Sequence, residues 1–80
     1  MNIDHLRYFL VLTQEMHYSR AAQRLNISQS GLSHAMAALE QELGVKLFQR
    51  GSHRIVLTED GMLLRRRAQE IVDLADRTAR

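Results

Sequence analysis

Between Ser28 and Gly44 the apolar positions Leu32, Met36, Leu39 and Leu43 fall at the i, i+4, i+7, i+11 spacing of a single helical stripe. The pattern predicts a helix bounded by Ser28 as its cap and by Gly44, which can take the left-handed conformation that stops it. A second stripe, Ser30, Ser33, His34 and Ala37, carries small polar groups, and no acid precedes Glu40. The first stripe suits a core, and the second can lie flush against a polyanion.

Upstream, Ile3, Leu6, Phe9, Leu10, Thr13 and Met16 keep helical spacing, with Asp4 as a favourable first-turn acid, and predict a first helix from Ile3 to about Met16. Val11 and Leu12 widen its apolar side, which suits packing on more than one neighbour, and Tyr8 and Tyr18 read as half-buried framework residues. Ser19 is the expected cap of a short second helix, Arg20 to Leu25, where Ala21 and Ala22 permit close approach. Asn26 and Ile27 then make a tight turn. A short helix, a turn of three or four residues and a second capped helix form the helix-turn-helix plan, although the frequent turn glycine is missing.

Downstream, Lys46–Arg50 and Arg54–Leu57 read as two short strands around Gly51-Ser52-His53. A basic hairpin directly behind the third helix is what a winged helix-turn-helix requires, with Arg50, His53 and Arg54 available to phosphate or a minor groove. The same hairpin also fits a purely core-closing role. Thr58 caps a last helix with Glu59 and Asp60 in its first turn, running without a breaker after Gly61 toward Arg80. Within it Gly61, Leu64, Ala68, Ile71, Ala75 and Thr78 alternate steps of three and four, a coiled-coil seam suited to pairing with a second copy. Its first half, Met62 and Leu63 included, is expected on its own domain, whereas Ile71 to Thr78 lie too far along for that. Arg65-Arg66-Arg67 spans nearly a full turn and reads as a solvated run.

At 80 residues the chain is one small domain, which buries only about 60% of its unfolded surface and gains from dimerisation. The pattern is mainly α: a winged helix-turn-helix over 1–58 and a linker or dimerisation helix over 59–80. Its net charge is +2, but the distribution is uneven. The acid-free window from Glu15 to Glu40 holds Arg20, Arg24, His17 and His34, and a second basic cluster follows at Lys46, Arg50, His53 and Arg54. Either cluster alone also fits an ordinary solvated surface.

The scattered histidines at 5, 17, 34 and 53, with no cysteine in the chain, argue against zinc. Gly31-Leu32-Ser33-His34-Ala35 only mimics a nucleophile elbow, since no strand precedes it. Neither a phosphate-binding loop nor a signal peptide or membrane-length apolar run is present, so no enzyme, cofactor or membrane role is expected.

With these elements placed, the chain closely resembles the amino-terminal DNA-binding domain of LysR-type transcriptional regulators. The resemblance rests on Leu6-Arg7-Tyr8-Phe9, Ser19 to Leu25, Ser28-Gln29, Leu32-Ser33, Ala38-Leu39-Glu40, Glu42 to Val45, Leu47 to Arg50 and Leu57 to Gly61. It implies a cytoplasmic homodimer joined through the linker helix at Leu64, Ala68, Ile71, Ala75 and Thr78, reading an inverted-repeat operator in double-stranded DNA. It further implies a carboxy-terminal domain, beyond this chain, that holds the small-molecule effector. By the same resemblance Gln29, Ser30, Ser33 and His34 face the major groove, and Arg54, with His53, sits on the wing; Ala37 on the same helical stripe and Arg50 in the basic hairpin are expected to join them on DNA. Two departures stand out: Ser30-Gly31 where the family often has Pro then Ala, and His34 where it commonly has Arg. Gly disfavours a helix interior by about 0.5–1 kcal/mol against Ala. A neutral imidazole also lacks the two-point contact a guanidinium makes with guanine. The half-site is therefore expected to differ from the family's common one. A rival reading is a protein–protein module whose function is the linker seam.

Overall fold

The computed structural model describes residues 1–51 and 54–79. Helix α1 (Ile3–Glu15) starts at Asn2, whose side-chain oxygen accepts the Asp4 and His5 N–H groups at 2.8 and 3.4 Å. It ends where Met16 turns left-handed at φ 51°. Helix α2 (Tyr18–Leu25) follows at once, capped by His17 and not by Ser19. The His17 ring nitrogen Nδ1 accepts the Arg20 N–H at 3.3 Å, while the Ser19 hydroxyl lies inside the first turn, 2.9 Å from that same nitrogen. The helix thus begins two residues earlier than Ser19 as cap suggests, because the His17 ring nitrogen takes the first-turn N–H expected on a serine hydroxyl.

Asn26 takes the place of the expected turn glycine. It sits at φ 60°, ψ 38°, a left-handed conformation that Asn tolerates better than most residues. The N–H of Ile27 then closes on Ala22 O at 3.0 Å, and half-buried Ile27 packs on the core. Three residues later α3 (Gln29–Leu43) is under way, with the Ser28 hydroxyl accepting the Gly31 N–H at 2.9 Å and Gly44 stopping it at φ 70°. Both boundaries agree with the sequence pattern.

Strands β1 (Phe48–Arg50) and β2 (Ile55–Leu57) pair antiparallel with Phe48 opposite Leu57, Gln49 opposite Val56 and Arg50 opposite Ile55. Strand β1 is shorter than the run Lys46–Arg50 suggests because Lys46 and Leu47 are engaged elsewhere, by Thr58 and Glu40, and β2 starts one residue after Arg54. Helix α4 (Glu59–Thr78) starts on Thr58, whose hydroxyl oxygen accepts the Gly61 N–H at 2.9 Å and whose O–H donates to Lys46 O at 2.6 Å.

One core unites all of these elements. Phe9, Leu12, Leu32, Met36, Leu39 and Leu47 are fully buried, each contributing about 1.5–3 kcal/mol by leaving water. Ala68 and Val72 of α4 belong to the same cluster, so the linker helix is built into the winged domain. Its far half is partly docked, against the expectation that Ile71 to Thr78 lie too far along to reach the domain, while Ile71, Leu74 and Thr78 stay exposed. Val72 is buried, Ala75 half-buried, and Asp76 pairs with Arg7 of α1. Helix α1 packs along α4, where Ala68 is buried and Ala75 half-buried.

Candidate nucleic-acid interface

The sequence leads to the expectation of a reading face on α3, and the residues assigned to it lie on the exposed side of the helix. Gln29, Ser30, Ser33, His34 and Ala37 are all exposed, whereas Leu32, Ala35, Met36 and Leu39 on the opposite side are buried. A 3.6-residue period separates the two sets, so burying the apolar stripe obliges the polar one to face out. No acidic side chain interrupts this face before Glu40.

Arg50 and Arg54 are exposed at the inner ends of the two strands, where Gly51 N–H donates to Arg54 O at 2.6 Å. His53 lies outside the described residues. A cleft of about 350 Å³ separates the wing from α3, with Gln29, Ser33 and Glu40 on the helix side and Lys46, Gln49 and Arg50 on the other. A neighbouring recess of about 300 Å³ brings Arg50 and Arg54 beside His17 and Tyr18, at the start of α2. Arg50, Arg54 and the turns that open α2 and α3 thus share one side of the molecule. His17, Tyr18 and Gln49 were not singled out as site residues by sequence; the first two carry no local signal except their place in the short link from α1 to α2.

Not every basic residue of the two clusters is free for a partner. Arg24 pairs with Glu15 at 3.1 Å, and Lys46 Nζ lies 3.8 Å from Glu40 with its own side chain 81% exposed. Arg65, Arg66 and Arg67 are exposed, as expected of a solvated run, and Arg67 pairs with Glu70 at 3.4 Å. Tyr18 is half-buried, and its phenol is pushed above the usual 10.0 by burial first and then by the charge of Glu40. Its ring meets Phe48 edge-on at 6.4 Å, and Phe48 meets Phe9 at 5.5 Å, so aromatic packing pins β1 to α1 and α2.

On α4 the structure divides the sequence-predicted seam. Ala68 is fully buried and Leu64 and Ala75 are half-buried on their own domain, so these three do not form a free surface. Ile71 and Thr78 are exposed, and the large apolar side chains exposed beside them are Leu63 and Leu74, at 45% and 61%. Met62 is exposed too, against the expectation that Met62 and Leu63 pack inward. The free apolar stripe is therefore turned around the axis toward Leu63 and Leu74, because Gly61, Ala68 and Val72 face the core. Among the described residues, no helix is long and apolar enough to cross a membrane, and no group of three or more His, Asp or Glu is placed to hold a metal ion.

A two-helix reading head with a β-hairpin beside it defines the winged helix-turn-helix class, and comparison with known proteins gives the family. Residues 3–62 match the model of the bacterial regulatory helix-turn-helix protein, lysR family. The chain belongs to that family. It is 42% identical over 81 residues to the uncharacterized HTH-type transcriptional regulator YnfL of Escherichia coli, covering 99% of this chain and 27% of that protein. It is 45% identical over 67 residues to the regulator XapR of the same organism, covering 84% of this chain and 23% of that one. The chain thus spans about a quarter of the length of these relatives. Among solved structures, the DNA-binding domain of CbnR in complex with DNA superposes with a TM-score of 0.94 at 35% identity, covering 99% of this chain and 91% of that one. The BenM DNA-binding domain on catB site 1 DNA gives 0.93 at 34% identity, covering 99% and 89%. The chain is a LysR-type helix-turn-helix DNA-binding domain.

Proposed function

We propose that this domain binds duplex DNA as a homodimer, reading base edges with the first turns of α3 and holding phosphates with the wing. The observation that carries this reading is the shared side: the exposed start of α3, with Gln29, Ser30, Ser33, His34 and Ala37 and no acid before Glu40, lies across a cleft from Arg50, and Arg50 shares the neighbouring recess with Arg54. Small hydroxyl and amide donors suit base edges, and guanidinium groups suit phosphate. A phosphate seated in the recess by His17 would meet Arg50, Arg54 and the positive end of α2. That similar domains have been solved in complex with DNA supports duplex DNA as the partner.

The dimer is proposed through the outward stripe of α4, Leu63, Ile71, Leu74 and Thr78, since a small domain gains by covering exposed leucines and isoleucine. Two-fold symmetry then calls for an inverted-repeat operator, its half-sites spaced by about one helical turn or a multiple of it. A small-molecule effector and its carboxy-terminal domain, and a cytoplasmic location, complete the proposal for the whole regulator.

The test is a salt titration of binding to duplex DNA. Each phosphate contact adds about 0.9 to the slope of log K against log salt. A steep fall is expected; flat dependence, or no binding at low salt, rejects the reading in favour of a protein–protein module.

A further inference from the structure

The segment that joins the recognition helix to the wing is organised by one side chain. The main-chain oxygen of Glu40 accepts the N–H groups of Gly44 and Val45 at 2.8 and 3.2 Å, ending α3. Its carboxylate oxygen Oε2 accepts the N–H groups of Leu47 and Phe48 at 2.7 and 3.4 Å, at the start of the wing. The backbone donors of Gly44, Val45, Leu47 and Phe48 thus all converge on Glu40. From the other side Thr58 holds the same segment, its N–H donating to Leu47 O at 3.0 Å.

The carboxylate is turned inward, with its side chain only 18% exposed, on the same edge of α3 as Gln29 and Ser33. An acid on a face meant for a polyanion would repel its partner unless its charge were engaged by donors. Here two N–H groups and the more distant Lys46 ammonium engage it. Glu40 therefore bridges the two surfaces that a DNA duplex would touch at once.

We propose that Glu40 is a positioning residue for DNA binding: its carboxylate fixes the offset between the reading turn of α3 and the wing arginines, so that groove and phosphate contacts form in one register. The inference rests on the proposed wing contacts. Because both donors meet the same oxygen, a glutamine amide oxygen can replace it, whereas alanine leaves the wing N–H groups without their partner.

The test is a double-mutant cycle between Glu40 and Arg54 on a duplex that the native domain selects from a random-sequence pool, used as its operator DNA, with folding checked by thermal melting. Arg54→Ala alone should weaken binding and lower the salt slope by about 0.9. Glu40→Ala should weaken operator binding by about tenfold and Glu40→Gln should stay within about threefold of the native domain. In the Arg54→Ala background, Glu40→Ala should lose most of its effect, because there is less left to position. If Arg54→Ala is silent, the wing reading falls and takes this inference with it. If Arg54→Ala weakens binding but the two effects multiply, or Glu40→Gln is as harmful as Glu40→Ala, only the role of Glu40 is rejected. Should Glu40→Ala fail to fold, amide exchange on the native, DNA-free domain decides: a protected Leu47 N–H supports the pre-set offset, and an unprotected one overturns it.

Discussion

Arg7 on α1 and Asp76 in the last turn of α4 form a two-point pair, Nη2 to Oδ1 at 2.7 Å and Nη1 to Oδ2 at 3.4 Å. It raises the guanidinium pKa, mainly through that hydrogen bond. The pair is exposed, so it acts locally and is screened by salt. Arg7→Ala should speed amide exchange over residues 75–79 with little change in the melting temperature. Unaltered exchange there would show that apolar packing of Val72 and Ala75 holds the helix alone.

Gly61 is the tightest point between α4 and the wing. A methyl group there would run into the main-chain carbonyl oxygen of Leu47 and come within 2.7 Å of Leu57 Cδ2. A carbonyl held by the Thr58 N–H has little room to move. Gly61→Ala should therefore destabilise the domain by about 1–3 kcal/mol despite its higher helix propensity, measured by denaturant unfolding.

Ser33→Ala and His34→Ala should change the preference between operator and random duplex, while Arg54→Ala weakens both alike. The checking measurement is affinity for the two DNAs at matched salt. Equal loss on both for His34→Ala would remove it from the base-reading set.

Leu74→Asp or Ile71→Asp should shift the domain toward monomer in sedimentation without lowering helicity, since both side chains are exposed. Ala68→Asp should instead unfold it, because Ala68 is fully buried in its own core. A dimer unaffected by Leu74→Asp would place the interface elsewhere.

Tyr18 provides a pH test. Its phenol has a raised pKa in the folded domain, so above about pH 10 the unfolded chain loses that proton first. Stability from this group is whole below the unfolded value and falls as pH climbs through the raised folded one. Tyr18→Phe should make thermal stability less sensitive to pH in that window; an unchanged profile would discount Tyr18.

The helix boundaries at Ser28, Gly44 and Thr58 were legible because capping is local: a hydroxyl reaching an N–H three residues on, or a glycine free to turn left-handed. The second helix starts earlier than its serine suggests because the His17 ring, two residues before Ser19, supplies the cap oxygen's role with a nitrogen. The exposed face of α3 followed from periodicity alone. The use of α4 did not, since a three-four repeat suits an intramolecular partner as well as a second copy, and only the course of α1 decides between them.

The order of amino acids by itself determined the four helices, the hairpin and the exposed polar face of α3, because those depend on spacing and caps within a few residues. Tertiary structure alone decided which stripe of α4 stays free and which basic residues are already paired. It also decided that the Glu40 carboxylate turns toward the wing. Each of these depends on which distant backbone or side chain arrives opposite, a matter of packing geometry that no local pattern encodes.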